Sequence, residues 1–297
     1  TENPSCSVES VPVSVNDRTR FIYEAACCGL RDFFVKNGYK KACVGVSGGI
    51  DSAVVACLAV AALGAENVRG LMMPSQFSSE GSVEDAKQLA ENLGIEFHVV
   101  PITEAYRSIV DTLIPVIGGT DFDATEENIQ SRIRTLMLMA LQNKNGYVLL
   151  NCSNKSENAL GICTLYGDTG GAFSVTGDLY KTEMYDLARY INRKFGDPIP
   201  ENILTKEPSS ELRPDQKDSD MLPSYEVVDA ILYRLIEDGQ SREEIINAGF
   251  DSDEVQKIYA MVMRNEKKRF QYPPVLRLSS SSFGHEYRMP LTHKYVK

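Results

Sequence analysis

The chain has 297 residues, of which 43% are hydrophobic and 24% are charged, so it is long enough to bury a large core as a globular protein. Its formal net charge of −10 argues against a general nucleic-acid surface, and no apolar run reaches the length that a transmembrane helix needs. The 7 cysteines show no C-x-x-C spacing, which argues against a disulfide framework and a zinc site and favours reduced thiols in the cytoplasm. The 3 histidines are scattered along the chain, which argues against a histidine-based metal site or catalytic triad.

The first two thirds of the chain alternate between segments typical of helices and short apolar runs typical of strands. We predict a first helix over residues 19–37, which Gly38 ends. The other predicted helices span 51–58, 82–92 and 128–143, and the predicted strands span 42–46, 68–74, 95–100 and 147–152. This alternation predicts an α/β fold with a doubly wound, mostly parallel sheet, in which ligands bind beyond the carboxyl ends of the strands.

The last third of the chain has a different pattern. Residues 198–222 are rich in Pro, Asp, Ser and Lys with little periodicity, and predict a long loop that we expect to close over a substrate. Helices predicted over 225–239, 241–248 and 251–269 form a C-terminal helical portion, followed by a polar tail. We therefore expect a single domain over 1–297, with the core sheet within about 18–196, the loop at 198–222 and the helices and tail at 223–297.

A glycine turn, Ser47-Gly48-Gly49, stands between the first predicted strand and the helix that follows it. Such a turn leaves backbone N–H groups free at the positive end of the helix dipole, which makes an anion site. The spacing fits neither a Walker A loop nor the G-x-G-x-x-G dinucleotide fingerprint. Asp51 beside a phosphate site makes sense only with a metal ion between them, and the alternative is a plain turn without a ligand. Ser-Gly-Gly-x-Asp-Ser resembles the pyrophosphate loop of the N-type ATP pyrophosphatases, which split ATP between the α and β phosphates and adenylate a substrate.

Two further segments carry groups suited to binding phosphate and metal. Asn128 and Arg132 share one helix face, and Arg132 can fork onto a phosphate, although a helix start with solvated arginines would look the same. Glu157 follows the fourth predicted strand and can supply a second carboxylate beside Asp51. Two carboxylates together with phosphate oxygens suit Mg²⁺, whereas a lone Glu at a helix start would only favour the helix dipole.

The remaining candidates are a glycine-rich segment and two basic positions. Residues 165–173 allow a flat group to lie close to the backbone with Tyr166 or Phe173 stacked on it, although alone the segment would be an ordinary turn. Lys181 opens a helix, where the dipole disfavours a cation, so an anionic ligand explains it better than a solvated lysine does. Lys267 and Lys268 close a helix, which the dipole alone explains.

Taken together, these motifs resemble those of NAD synthetase, as its ammonia-using form or as the synthetase domain of a glutamine-dependent one. The resemblance covers roughly residues 18–293, and its motifs are residues 45–52, 127–134, 154–157, 166–168, 181–182 and 267–269. It implies a Rossmann-like, adenine-nucleotide α-hydrolase-like fold and a homodimer. The pyrophosphate loop alone would also fit a GMP synthetase, an asparagine synthetase or a tRNA-thiolating enzyme, and a non-catalytic nucleotide-binding module is a further alternative.

The resemblance implies a ligase reaction in two steps. The carboxylate of deamido-NAD attacks the α-phosphorus of ATP, pyrophosphate leaves, and ammonia then displaces AMP from the adenylate to give NAD. It implies catalytic roles for Asp51 and Lys181 and a magnesium site at Asp51 and Glu157. The implied ATP contacts are Gly45, Val46, Ser47, Gly48, Gly49, Ile50, Asp51, Ser52, Met73, Cys152, Lys181 and Ser209. The implied deamido-NAD contacts are Asn128, Arg132, Glu157, Tyr166, Phe173, Lys267 and Lys268.

Some positions depart from the pattern of the short, ammonia-using relatives. Cys152 stands where relatives commonly carry Thr, Leu165 where short forms have Lys, and Ala172 where they have Asp. The last two, with the Phe-Gly-His sequence at 283–285, look closer to the glutamine-dependent long forms, which carry an amidase domain of the nitrilase type. The roughly forty residues before the pyrophosphate loop are too few for such a domain, so we expect this chain to use free ammonia, with a glutaminase domain or partner as a further possibility.

Overall fold

Five short strands and twelve α-helices make up the computed structural model within the residues that it describes, 15–119, 121–214 and 216–294. The strands are β1 (Lys41–Gly45), β2 (Val68–Met72), β3 (Glu96–Val99), β4 (Tyr147–Asn151) and β5 (Phe173–Ser174). The helices are α1 (Val15–Lys36), α2 (Ile50–Leu63), α3 (Glu80–Leu93), α4 (Thr103–Ile117), α5 (Ala124–Asn145), α6 (Lys155–Leu160), α7 (Lys181–Phe195), α8 (Glu201–Thr205), α9 (Tyr225–Ile236), α10 (Arg242–Asn247), α11 (Ser252–Arg264) and α12 (Glu266–Arg269).

All five strands pair in parallel, in the order β3–β2–β1–β4–β5. The register places Ala42 of β1 between Val68 of β2 and Val148 of β4. The chain builds the sheet outward from β1 to β3, returns to the other side of β1 with β4, and ends at β5. The order therefore reverses between β1 and β4, and in open parallel sheets ligands bind in the crevice at such a reversal.

Helices cover both faces of the sheet, as the doubly wound prediction required. One core joins α1, α2, α3 and α7 to the sheet and includes Leu30, Val54 and Leu187. A second core lies under α4 and α5, and includes Ile133 and Leu149. Sheets buried on both faces have continuous apolar strands, which explains why the apolar runs of this sequence located β1, β2 and β4. The predicted α/β fold with a parallel sheet is confirmed.

The C-terminal helices form a layer of their own. Residues of α9, α10 and α11 bury a third core together with Leu160 of α6. The predicted helix over 251–269 is divided at Asn265, whose Nδ2 donates to the carbonyl oxygens of Leu160 (2.7 Å) and Met261 (2.8 Å). This side chain ends α11 and ties the helical layer to α6. None of the helices in the described ranges has the length and apolar composition needed to cross a bilayer.

The segment 198–222, predicted as a loop, contains two short helical pieces. It begins with α8 and includes a 3₁₀ turn over Asp218–Asp220. Ile203 of α8 is 1% exposed and packs into the core under the sheet, and Asn202 Nδ2 donates to Asp85 Oδ2 at 2.7 Å. These two contacts hold a helical turn that the composition of the segment does not show.

Candidate active site

A cavity of about 290 Å³ lies at the carboxyl ends of β1 and β4, where the strand order reverses. Gly45, Val46 and Ser47 line it from β1, and Asn151, Cys152 and Ser153 line it from β4. The other walls are formed by α5, by the glycine-rich segment after α6 and by Ser210, Glu211 and Leu212 of the 198–222 loop. The position agrees with the one that the predicted sheet implied.

The glycine turn below this cavity has a conformation that its sequence dictates. Gly48 has a φ of +78°, and a Cβ atom on it would lie 2.2 Å from the carbonyl oxygen of Ser82. Ser52 Oγ donates to the Gly49 carbonyl oxygen (3.1 Å) and accepts the N–H of Ser47 (3.1 Å), which holds the turn closed. Within the part of the chain that the structure describes, no side chain caps α2, whose N-terminus is therefore free for an anion.

We expect Gly48→Ala to destabilise the protein by about 2–4 kcal/mol, because it adds both left-handed strain and a clash with backbone. The matched control is Gly81→Ala, since a Cβ on Gly81 in α3 meets nothing within 4 Å. That change should stabilise the protein by about 0.5–1 kcal/mol by removing chain entropy from the unfolded state. Urea unfolding of both variants measures the difference, and equal stabilities would contradict the strained turn.

Three charged groups meet above the turn. Lys181 Nζ donates to Asp51 Oδ2 at 2.6 Å and to Glu157 Oε1 at 3.4 Å. Asn154, the N-cap residue of α6, donates from Nδ2 to the other oxygen of Asp51 at 3.0 Å. The Lys181 side chain is 4% exposed, whereas those of Asp51 and Glu157 are 18% and 23% exposed. When both carboxylates are ionised, the cluster carries one more negative charge than positive.

The pKa values of this cluster follow from that arrangement. Burial raises the pKa of Glu157 well above its ordinary value, and the neighbouring charge of Asp51 raises it further. Burial alone would lower the pKa of Lys181, but the Asp51 and Glu157 carboxylates outweigh it and raise the pKa. A second cation would therefore be bound favourably here.

The donor set fits a magnesium ion that also binds phosphate. Asp51 and Glu157 offer hard oxygen ligands on one side, and Mg²⁺ in nucleotide sites typically takes one or two carboxylates with phosphate oxygens and water. Among the residues that the structure describes, no group of three or more Asp, Glu, His or Cys side chains could hold a metal ion without such help. The arrangement suits an ion that arrives with the nucleotide.

The other predicted ATP contacts divide into two groups. Met73 and Cys152 line the cavity, and the carbonyl oxygen of Met73 accepts a hydrogen bond from Arg134 Nε at 2.9 Å. Ile50 is 4% exposed, so it can reach a ligand through its backbone alone. Ser209 lies outside the lining, where its Oγ donates to the carbonyl oxygen of Gln216. The cavity wall is formed instead by the residues that follow Ser209, and its contact with ATP remains a prediction.

Four predicted deamido-NAD residues gather around one segment, 161–168. Asn128 Oδ1 accepts from Thr164 Oγ1 at 2.6 Å, and Arg132 Nε donates to the Leu165 carbonyl oxygen at 3.1 Å. Lys268 Nζ donates to the carbonyl oxygens of Gly161 and Cys163 at 2.6 and 2.9 Å. The fourth residue, Tyr166, is 69% exposed at the tip of the segment with a φ of +62°. A further predicted deamido-NAD residue, Lys267, is exposed on α12.

The prediction for Phe173 needs correction. Its ring is 7% exposed and stacks on Phe33 of α1, with the ring centroids 4.2 Å apart and the planes inclined by 9°. Residue 173 belongs to β5, and strand residues alternate between the two faces, so its side chain faces the core under α1. Phe173 is therefore a packing residue and offers no ring face to a ligand.

Two cavity residues did not emerge from the sequence as site residues. Burial lowers the pKa of Arg134 to about 10, and this guanidinium lines the cavity beside Met73. Desolvation raises the pKa of Asp168 to about 6, and its Oδ1 accepts the backbone N–H of Thr164 at 2.8 Å. Arg134 is the last residue of the 127–134 motif and Asp168 is the last of the 166–168 motif, so both lie inside motifs already identified, without having been named as contacts.

The 198–222 loop forms part of the cavity wall and is held there by Glu211. The carboxylate of Glu211 accepts the Ser79 N–H (3.2 Å), Ser79 Oγ (2.8 Å) and Ser82 Oγ (2.8 Å) at the start of α3. Gln130 Nε2 donates to the Leu212 carbonyl oxygen at 2.8 Å. The loop is thereby fastened to the start of α3 and to α5, and its closure over a substrate remains a prediction.

The chain is similar to several known proteins. Residues 22–272 match the family model described as NAD synthase. The glutamine-dependent NAD(+) synthetase of Aquifex aeolicus is 52% identical over 276 residues, which cover 93% of this chain and 48% of that protein. The glutamine-dependent NAD+ synthetase structure from Acinetobacter baumannii in complex with ADP is 40% identical, with a TM-score of 0.63, and the match covers 96% of this chain and 51% of that one.

A second solved structure resembles the chain over almost its own full length. The NH3-dependent NAD synthetase from Campylobacter jejuni, in complex with the nitrate ion, is 30% identical with a TM-score of 0.67. That match covers 84% of this chain and 95% of the other. The chain thus spans about half the length of the glutamine-dependent relatives that it matches, and nearly the whole of this ammonia-dependent one.

Proposed function

The chain belongs to the NAD synthase family, and from this premise we propose that it converts deamido-NAD to NAD at the expense of ATP, with release of AMP and pyrophosphate. The observation that carries the proposal is the Asp51–Lys181–Glu157 cluster, set above a glycine turn in a cavity at the reversal of the strand order. This combination supplies a pyrophosphate site and a cation site side by side.

In the first step, a carboxylate oxygen of the nicotinic acid ring attacks the α-phosphorus of ATP. The bond from that phosphorus to the bridging oxygen breaks, and pyrophosphate leaves with the electron pair. The first turn of α2 and the hydroxyls of Ser47 and Ser52 are placed to hold this leaving group. Lys181, buried beside Asp51, offers a fixed positive charge to the phosphates. No nucleophile from the protein is needed, so catalysis consists of positioning and electrostatic stabilisation.

In the second step, ammonia attacks the carbonyl carbon of the adenylate, loses a proton, and displaces AMP to leave the carboxamide. The nicotinate end of the substrate is proposed to lie along the 161–168 segment, where Asn128, Arg132 and Lys268 converge. Tyr166 is exposed there and remains the proposed stacking partner for a flat ring. A closed 198–222 loop would keep water from hydrolysing the adenylate.

We propose Mg²⁺ as the metal that Asp51 and Glu157 hold with the ATP phosphates. When bound, this ion neutralises phosphate charge and so eases the approach of one anionic substrate to the other. The protein's own part is to hold both carboxylates in place, through Asn154 on Asp51 and Lys181 on both.

We propose ammonia as the nitrogen donor at this site, whatever its source. The likeness to the ammonia-dependent enzyme of Campylobacter jejuni supports direct use of free ammonia. The higher identity to the glutamine-dependent relatives supports delivery from a glutaminase domain or partner of the nitrilase type. Both routes end in the same attack on the adenylate.

The remaining expectations are proposals of the same kind. We propose that residues 1–297 work as one synthetase domain and that two copies form a homodimer. We propose a cytoplasmic location because the cysteines that the structure describes, residues 27, 28, 43, 57, 152 and 163, are all free thiols. The alternative function is adenylation of a different acceptor by the same ATP site.

The test is to incubate the pure chain with Mg-ATP, deamido-NAD and ammonium, and to follow NAD with alcohol dehydrogenase while AMP is resolved from ADP. NAD and AMP in equal amounts are the expected products. Glutamine in place of ammonium shows whether this chain needs a separate glutaminase. Tight binding of ATP with formation of neither NAD nor AMP would favour a different acceptor, which this mixture lacks.

A further inference from the structure

Four consecutive residues at the start of α6 each fasten a different part of the protein. Asn154 donates to Asp51 of α2, and Glu157 contacts Lys181 of α7. Ser156 Oγ donates to Asp229 Oδ1 of α9 at 2.5 Å and accepts the backbone N–H of Lys181 at 2.9 Å. The proposed magnesium ligands are therefore positioned by one short helix, whose own anchoring decides where they lie.

Lys155, the remaining one of the four, is buried on the far side of α6 from the cavity. Its side chain is 0% exposed, and its Nζ lies 3.0 Å from Asp178 Oδ1 and also contacts Glu237 at the end of α9. The same ammonium donates to Ser279 Oγ (2.7 Å) and to the Ser281 carbonyl oxygen (2.8 Å). Every N–H of the ammonium thus has an acceptor.

Ser279 and Ser281 belong to a segment, residues 278–281, that we name the C-terminal strap. Asp178 Oδ2 accepts the backbone N–H groups of Leu278 and Ser279 at 2.7 Å each, and its Oδ1 accepts Ser279 Oγ at 2.9 Å. Glu237 accepts a hydrogen bond from Ser280 Oγ. The two carboxylates that pair with Lys155 are therefore the same two that fix the strap.

The buried cluster of Lys155, Asp178 and Glu237 is better explained by a role in positioning α6 than by a contribution to the stability of the protein. Desolvation of Lys155, Asp178 and Glu237 offsets most of their attraction, so a buried pair adds little net stability compared with apolar residues of the same volume. A lysine at the first position of a helix is also disfavoured by the helix dipole. What the cluster does provide is a directional set of bonds that fixes the start of α6 against α9 and the strap.

We propose that Lys155 is a positioning residue of the synthetase reaction, which acts through α6 to hold Asn154 and Glu157 against Asp51 and Lys181, with the C-terminal strap as its support. The inference rests on the proposed function, because that function gives the Asp51–Lys181–Glu157 cluster its role in the reaction. It goes beyond that function because neither Lys155 nor the strap lines the cavity.

The test compares Lys155→Met and Ser279→Ala with the wild-type chain. For Lys155→Met, we expect kcat for NAD formation to fall about 10- to 100-fold, with a similar rise in the Mg²⁺ concentration for half-maximal rate, because loss of an outer support commonly costs that much in metal affinity or activity. The KM for deamido-NAD should change less than kcat does, since Glu157 is the one predicted deamido-NAD contact that lies on α6. Ser279→Ala removes one support and should shift the same parameters in the same direction by a smaller factor.

Binding without turnover supplies a second measurement. The affinity of α,β-methylene-ATP, which cannot be split at the α–β bond, is measured by calorimetry in EDTA and in Mg²⁺. In EDTA, we expect Lys155→Met to bind α,β-methylene-ATP as tightly as the wild type does. In Mg²⁺, we expect the wild type to bind the analogue more tightly than in EDTA, and Lys155→Met to show no such increase in affinity. This measurement does not involve deamido-NAD, so it remains decisive even if the wild-type chain forms no NAD.

The matched control is Leu30→Ala, which removes a core side chain of α1 far from α6. Its stability loss, measured by urea unfolding, calibrates how far destabilisation alone lowers the rate. If Lys155→Met lost activity only as Leu30→Ala does and kept the wild-type response to Mg²⁺, its role would be structural and the proposal would be overturned. If Lys155→Met does not fold, Ser279→Ala decides, and unchanged kcat and Mg²⁺ response in that variant would overturn the proposal.

Discussion

Asp51→Asn is expected to lower kcat/KM for NAD formation by about 100- to 1000-fold while leaving the protein folded. The change keeps the size of the side chain and an oxygen that can accept the Asn154 hydrogen bond, but it removes the charge that Lys181 and the proposed magnesium ion share. The initial rate of NAD formation at saturating ATP and varied deamido-NAD, repeated at several Mg²⁺ concentrations, measures the effect.

Asp186→Asn on the same helix as Lys181 is the control for Asp51→Asn. Asp186 is 51% exposed and pairs with Arg189 at 3.4 Å, so its loss should leave the rate within about twofold of the wild type, as exposed pairs contribute little. Comparable activities for Asp51→Asn and Asp186→Asn, at equal thermal stability, would show that the metal role assigned to Asp51 is wrong.

The strands could be predicted from the sequence because the sheet is buried on both faces. Apolar runs bounded by turn signals located β1, β2 and β4, and the glycines that end α3 and α5 adopt the left-handed conformation that stops a helix. The elements that were missed are weakly buried or very short. Only Tyr106 of α4 is buried and the helix contains Pro115, while β5 has 2 residues held by pairing with β4.

The members of the site could be predicted more readily than their contacts. Lys181 stood out because the helix dipole disfavours a cation at its position, and Asp51 and Glu157 stood out because each carboxylate follows the end of a predicted strand beside the suspected phosphate site. That Lys181 lies between the two carboxylates depends on packing between residues 130 positions apart, which no local pattern encodes. Phe173 failed for a related reason, since an aromatic residue in a glycine-rich segment can face either a ligand or the core, and only the position of α1 decides between them.

Lys181→Met is expected to lower the stability of the protein without Mg²⁺ and to make that stability depend on Mg²⁺ more than it does in the wild type. Without Mg²⁺, Asp51 and Glu157 lose their shared cation, so the free energy of unfolding should fall by about 3–5 kcal/mol, as when one partner of a buried pair is removed. Mg²⁺ should then stabilise the variant more than the wild type, because the ammonium no longer competes for the same oxygens. NAD formation should fall at least about 100-fold, since the phosphates lose a fixed positive charge.

Urea unfolding in EDTA and in Mg²⁺ checks this prediction, with Lys36→Met as the control. Lys36 pairs with Asp32 on the surface of α1 and its side chain is 73% exposed, so its loss should cost less than about 0.5 kcal/mol and create no response to Mg²⁺. A stable Lys181→Met variant that ignores Mg²⁺ would mean that the two carboxylates do not form one cation site. A variant destabilised in EDTA and rescued by Mg²⁺ would support a single cation site in which the ammonium and the metal ion share the same carboxylate pair.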